Sequence, residues 1–173
     1  MTADGSSPWV ARFAPLVRRQ GSVLDVACGG GRHCRHFLAR GHAVTGIDRD
    51  LGGTDAAGAE LIAADLENGA PWPLPGRRFD AVVVTNYLWR PLFPALRGAL
   101  AEGGVLIYET FAAGNEAYGR PRSPDFLLQR GELLALAHGL TVVAFEDGVV
   151  ADRAVVQRIC AVHGPGPHPL PGA

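Results

Sequence analysis

Residues 23–38 read "VLDVACGGGRHCRHFL": an apolar run closes on Gly29, Gly30 and Gly31, and a basic, helix-like run follows at once. Bare backbone in that setting suits a turn that must come close to a ligand, because no Cβ stands in the way. A merely structural turn needs one glycine, or two. The neighbours narrow the choice of ligand. A phosphate loop would place Lys and then Ser or Thr after its last glycine, and here Arg32 and His33 stand there. The dinucleotide fingerprint GxGxxG would want glycine where Cys34 sits, so that helix and strand can pack closely. Asp25, inside the apolar run, belongs to neither pattern. A buried carboxylate needs a partner, and the cationic end of a ligand would supply one.

The turn has to be positioned by the elements around it. Apolar, β-branched runs recur at 23–27, 43–47, 60–64, 81–85, 105–108, 141–145 and 154–162. The first five are near-continuous, which predicts strands covered on both faces in a parallel sheet. The last includes Gln157 and Arg158 and reads as a half-exposed strand. Helical patterns lie between these runs. Ser7 as N-cap and Pro8 as first helical residue open one, with Trp9, Val10, Phe13, Leu16 and Val17 apolar and Pro15 to bend or end it. Others run from Arg32 to Arg40 against Gly41, from Pro94 to Gly103, and over 131–139. Residues 48–59 and 66–78 are too short or too rich in Gly and Pro for long crossover helices. Strands alternating with helices predict an α/β fold, a Rossmann-like open sheet of about seven mostly parallel strands with helices on both faces. Ligands of such sheets bind at the C-terminal strand ends, which is where the glycine turn falls. One domain is expected over 1–163, and the tail "GPGPHPLPGA" at 164–173 reads as disordered.

With 173 residues, 47% of them hydrophobic, the chain can build one sizeable core. A net charge of −1 and scattered arginines give no electrostatic reason to expect nucleic acid. Cys28, Cys34 and Cys160 fit neither a disulfide framework nor a CxxC zinc site, so a reduced, cytoplasmic protein is expected. "MTADGSSPWV" lacks the basic start and apolar run of a signal peptide, and no apolar stretch is long enough for a membrane span.

The stretch "VLDVACGGG" resembles motif I of the class I S-adenosylmethionine-dependent methyltransferases, D/E-x-G-x-G-x-G, with Ala27 in place of the first glycine. The resemblance continues in order through "VTGIDRD", "LIAADLE", "FDAVVVTNYLWRPLF" and "LAEGGVLIYETF", and covers roughly residues 8–163. Its nearer likeness is to small bacterial methyltransferases related to tellurite-resistance enzymes. The resemblance implies S-adenosylmethionine as cofactor, held by Asp25, Ala27, Cys28, Gly29, Gly30 and Gly31 in the first motif. It implies Asp48, with Arg49 beside it, on the ribose, Asp65 and Leu66 at the adenine, and Asn86 after the fourth strand. Asp25 is expected to order the glycine turn near the methionine end.

Methyl transfer from a sulfonium is an in-line displacement, so alignment and exclusion of water matter more than a catalytic triad, and no metal is required. Asn86, Tyr87 and Arg90 fall where the family places residues facing the transferred methyl, although Tyr87 could equally pack beneath a helix. Residues 110–126, "TFAAGNEAYGRPRSPDF", form a long aperiodic segment of the kind that closes over sites, which brings Tyr118, Arg120 and Arg122 into consideration. Trp9 and Arg12 could cover the cofactor or simply pack. His33 and His36 have helical spacing for a metal, but no third ligand is evident. "TNYLW" lacks the Asp/Asn-Pro-Pro-aromatic sequence of amino-methylating DNA enzymes. The expected acceptor is a small molecule, by analogy a thiol or chalcogen oxyanion, with no nucleic-acid or membrane partner. A nicotinamide-dependent oxidoreductase and a non-catalytic cofactor-binding module stay open as alternatives.

Overall fold

The apolar runs become strands β1 (Ser22–Val26), β2 (Ala43–Asp48), β3 (Glu60–Ala63), β4 (Phe79–Thr85), β5 (Leu100–Phe111), β6 (Thr141–Val150) and β7 (Ala154–Val162) in the computed structural model, which describes residues 5–172. Met1–Asp4, part of the stretch read for a signal peptide, lie outside the described residues. The strands form one sheet in the order β3-β2-β1-β4-β5-β7-β6, parallel except for β7, which runs antiparallel to both β5 and β6. The order reverses between β1 and β4, so the crevice opens at the tips of those two strands.

Period-two alternation sends the residues of each central strand to different helices. Val23, Ala81, Val83, Val105 and Ile107 meet α1 (Pro8–Phe13) and α2 (Arg32–Leu38) on one face. Leu24, Val26, Val82, Val84 and Leu106 meet α3 (Phe93–Gly98) and α4 (Glu132–Leu136) on the other. Burial on both faces explains why these strands read as continuous apolar runs. No helix occupies 49–59 or 64–78, as their composition predicted. Among the described residues no helix is long and apolar enough to cross a membrane.

Three expectations change. The helix expected from Pro94 to Gly103 stops at Gly98, and Leu100 already pairs with Phe79. Gly103, at φ +75°, and Gly104 form a bulge, after which Val105 pairs with Ala81. A Cβ on Gly104 would lie 2.8 Å from the carbonyl oxygens of Phe79 and Ala101, so that pair of glycines shapes a strand and does not end a helix. The last strand, expected to be half exposed, lies inside the sheet because β6 covers its outer edge. Trp9 is core and not a cofactor cover: it is 2% exposed and its Nε1 donates to the Ile159 carbonyl. Residues 164–172 carry no helix or strand; Thr141 Oγ1 donates to the Gly164 carbonyl and Arg12 Nε to that of Pro171.

Gln157 is fully buried on β7, accepting from the Leu133 amide at 3.1 Å and donating to the Gln129 carbonyl at 2.6 Å. It thereby fixes the start of α4 on the sheet. Gln157→Leu keeps most of the volume but leaves both backbone groups unpaired, with an expected loss of about 1–3 kcal/mol in urea unfolding.

Candidate functional site

The glycine turn is held from the β2 side. Asp48, at the end of β2, accepts from the Gly29 amide at 2.8 Å on one carboxylate oxygen and from the Asp50 amide at 3.1 Å on the other. Thr54 Oγ1 donates to the Gly29 carbonyl at 2.6 Å, and Arg35 Nη1 to that of Gly30 at 2.8 Å. Gly31 has φ +74°, and a Cβ there would sit 2.9 Å from Ala56 Cβ and 3.0 Å from the Asp55 carbonyl. The segment after β2 therefore lies on the turn so closely that only glycine fits. Ala27 and Asn86, at the tips of β1 and β4, also adopt left-handed backbone, with φ of 56° and 54°. Each non-glycine residue in that region costs on the order of 1–2 kcal/mol, and such strain gathers where backbone must meet a ligand.

Beside this turn is a cavity of about 310 Å³, bordered by Ala27, Asp48, Arg49, Asp65, Leu66 and Tyr87, and also by Ala64, Glu67 and Phe126. The charged residues on its wall are unequal: Asp48, Asp65 and Glu67 line it, with Arg49 as the one basic residue among the lining residues. Burial, then the charge and hydrogen bond of Glu67, then Asp65 and Asp48, push the Tyr87 hydroxyl well above the ordinary tyrosine range. Tyr87 therefore stays protonated at neutral pH and can donate a hydrogen bond but not serve as a base. Its carbonyl is fixed by the buried Tyr108 hydroxyl at 2.7 Å. A second chamber of about 190 Å³ adjoins the first across Tyr87, Glu67 and Phe126 and includes Asn86 and Thr110.

Six of the expected site residues, Ala27, Asp48, Arg49, Asp65, Leu66 and Tyr87, thus meet around one cavity, and Asn86 borders its neighbour. Arg120 lines an outer groove that also touches Phe126. Tyr118, 45% exposed, borders none of these spaces. Gly29, Gly30 and Gly31 shape the turn without lining the cavity, and Cys28 is buried beneath them with its Sγ close to Gly46. Ala64, Glu67 and Phe126 were not anticipated; Glu67 lies two residues past Asp65, and Phe126 ends the aperiodic segment. Two of the histidines, His33 and His42, have structural partners. His33 Nε2 accepts from the Ser7 amide at 3.1 Å, and His42 Nδ1 lies 3.2 Å from the Gly21 carbonyl. No cluster of three metal-binding side chains occurs among the described residues.

Asp25 differs from expectation in its partner. Its carboxylate, 1% exposed, accepts from the Cys34 thiol at 3.3 Å, while Asp48, Thr54 and Arg35 order the glycine turn. Burial raises its pKa to about 7, despite the opposing pull of Cys34 and of the Arg32 charge.

Arg90 fixes the segment that carries Phe126. Its Nη1 and Nη2 donate to the carbonyls of Asp125 and Leu127, both at 2.9 Å, and its Nε and Nη2 hold Glu132 at 2.6 and 3.0 Å. One guanidinium thus grips the backbone on either side of Phe126 and ties it to α4.

Two measurements follow from this geometry. The folded protein keeps a proton on Asp25 that the unfolded chain releases, so this group's stability is intact below pH 3.8 and is lost as pH rises through about 7. At 1.36 kcal/mol per unit, wild type should lose up to about 4 kcal/mol relative to Asp25→Asn between pH 4 and pH 8, read from urea midpoints. Arg90→Lys keeps the charge but not the fork, and amide exchange at 126–128 should quicken about tenfold, with little change in global stability.

Comparison with known proteins accords with this geometry. A family model described as a methyltransferase domain matches residues 5–134. The malonyl-[acyl-carrier protein] O-methyltransferase of Pseudescherichia vulneris is 33% identical over 173 aligned residues, covering 84% of this chain and 67% of that protein. The tRNA U34 carboxymethyltransferase of Alcanivorax borkumensis is 36% identical over 117 residues, covering 57% of this chain and 35% of that protein. The chain therefore spans about two thirds of the first relative's length and about a third of the second's. In fold it is similar to a TehB-like SAM-dependent methyltransferase from Corynebacterium glutamicum, with a TM-score of 0.66 at 20% identity, covering 92% of this chain and 90% of that one. The sheet order, the glycine turn with its carboxylate clasp and the family match agree: the chain belongs to the methyltransferase domain family, as a class I S-adenosylmethionine-dependent enzyme resembling TehB.

Proposed function

We propose that the cavity between Asp48 and Tyr87 holds the cofactor and that its methyl group passes directly to a small-molecule acceptor entering beside Phe126. The carrying observation is the charge on the wall. Three carboxylates against one guanidinium favour a ligand bearing positive charge and would repel a pyrophosphate. The Gly29 amide, which a phosphate would seek, already donates to Asp48. This charge pattern suits a sulfonium cofactor and disfavours a nicotinamide dinucleotide.

In this reading each residue has a limited task. An ionised carboxylate offers about four acceptor positions, and Asp48 spends two on backbone amides, which leaves acceptors for the ribose hydroxyls. Asp65 and Leu66 border the adenine, and Arg49 flanks Asp48 at the rim. Ala27 presents only a methyl group, so the ligand can approach the strand tip closely. Asp25, Cys28, Gly29, Gly30 and Gly31 support that surface from beneath and behind, and Asn86 joins cavity to chamber. When bound, S-adenosylmethionine supplies a methyl group already activated by its sulfonium. The chain then has to align the acceptor's lone pair with the methyl–sulfur axis and keep water out. Tyr87, fixed through its carbonyl by Tyr108 and with its hydroxyl proton directed to Glu67, would line that junction and present its hydroxyl oxygen as an acceptor. The role first considered for Tyr118 finds no support in its exposed position.

A small acceptor suits a reactive chamber of only about 190 Å³ and a chain of net charge −1. Calorimetry should give micromolar binding of S-adenosylmethionine, weakened about ten- to a hundredfold by Asp48→Asn, since a hydrogen bond to a charged group is worth about 1.5–3 kcal/mol. Label from the cofactor's methyl group should pass to a pool of small metabolites and not to tRNA or acyl-carrier protein. A chiral methyl group should arrive inverted. Retention, or labelling confined to the macromolecules, would overturn this function.

A further inference from the structure

Phe126 borders three connected spaces: the cofactor cavity, the 190 Å³ chamber, and an outer groove of about 630 Å³ made with Arg120, Pro121, Arg122 and Ser123. Pro121 links groove to chamber, and Tyr87 links chamber to cavity. Along this line the charge changes sign. The cavity is lined by Asp48, Asp65 and Glu67 against Arg49, and the chamber still by Glu67, whereas the groove is lined by Arg120 and Arg122 and by no acidic residue. Asp125 is close in sequence, but its carboxylate faces the Ser123 hydroxyl at 3.4 Å and does not line the groove.

Several arginines on this protein are engaged by acids. Arg18, Arg35, Arg77, Arg90 and Arg158 each face a carboxylate within 4 Å. Among the described residues, Arg120 and Arg122 form no ion pair; Arg122 engages only its Nε, on the Gly119 carbonyl at 3.3 Å. The backbone between them is nevertheless anchored. Asn115, 1% exposed, donates from Nδ2 to the Pro121 carbonyl at 3.1 Å and accepts the Val155 amide at 3.2 Å, which ties this stretch to β7. Two cations on an anchored loop, beside an exposed aromatic ring at the entrance to the chamber, form a site with one polar end and one apolar surface.

We infer that Arg120 and Arg122 are the anion-holding end of the acceptor site, and that the acceptor is a small organic carboxylate. Its apolar body lies on Phe126 and Pro121, and its nucleophilic end enters the chamber beside Tyr87. The inference rests on reading the adjoining cavity as the cofactor site. A guanidinium pairs with a carboxylate through two parallel hydrogen bonds, which gives direction as well as attraction. The opposite signs of cavity and groove would also keep a cationic cofactor and an anionic acceptor from exchanging places.

The test uses the full chain loaded with S-adenosylhomocysteine and three probes of equal size: benzoate, benzamide and benzylamine. Wild type should bind benzoate about tenfold or more tightly than benzamide, with benzylamine weakest. In the double variant Arg120→Gln/Arg122→Gln that preference should fall to about twofold or less, while affinity for S-adenosylhomocysteine stays unchanged. A smaller preference in wild type, or one that survives in the variant, would overturn the proposal while leaving the cofactor reading intact. Failure of wild type to bind S-adenosylhomocysteine would instead remove the cofactor reading and this inference with it.

Discussion

The carboxylate of Asp48 receives the Gly29 amide at 2.8 Å, and through that bond the tip of β2 fixes the turn that follows β1. Neither partner could hold the other alone. Gly29 sits in left-handed backbone, and Gly31 admits no Cβ because Ala56 and the Asp55 carbonyl press on it. A turn so bare has little side-chain packing of its own, so its shape comes from outside: from Asp48, from Thr54 and from Arg35. Because Asp48 is spent only in part, the bond that builds the turn also places unused acceptors at the cavity wall.

Strain surrounds this clasp. Ala27 and Asn86 end adjacent parallel strands, and both are driven to positive φ without being glycine. Strand pairing and burial on both faces over-determine β1 and β4 up to their last residues, so the chain has to turn out of the sheet abruptly. The same rigidity carries Tyr87 to its position, where the buried Tyr108 of β5 fixes its carbonyl and nearby carboxylates keep its hydroxyl protonated. The cavity wall is stiff at this end.

The side of the outer groove is assembled differently. Its walls come from the irregular segment after β5, and individual polar side chains take the place of a sheet. Arg90 grips the carbonyls on both sides of Phe126, and Asn115 fastens Pro121 and β7. On the opposite face Ser7 caps α1, donates from its amide to His33 and from its hydroxyl to Glu109, which also faces Arg158. In this way α1 is pinned to the strand tips by groups that a helical pattern does not reveal. Long-range bonds of this kind let a short domain with abbreviated crossovers keep a defined mouth.

What the sequence determined by itself was the sheet and the bare turn after its first strand. Near-continuous apolar runs predicted strands buried on both faces, and Gly29 to Gly31 predicted a turn of bare backbone, while Asp48 and Asp65 were pointed to by the resemblance to the family. The tertiary structure decided what depends on distant partners. It turned Gly103 and Gly104 from a helix stop into a strand bulge, because Phe79 stands 2.8 Å from where a Cβ would be. Trp9 went to the core, Gln157 to an interior strand and Asp25 to the Cys34 thiol. It also brought Phe126 and Glu67 beside Tyr87 and left Tyr118 outside. Periodicity and turn chemistry act over a few residues and can be read along the chain; the pairing of a buried polar group is settled only by what folding brings within about 3 Å of it.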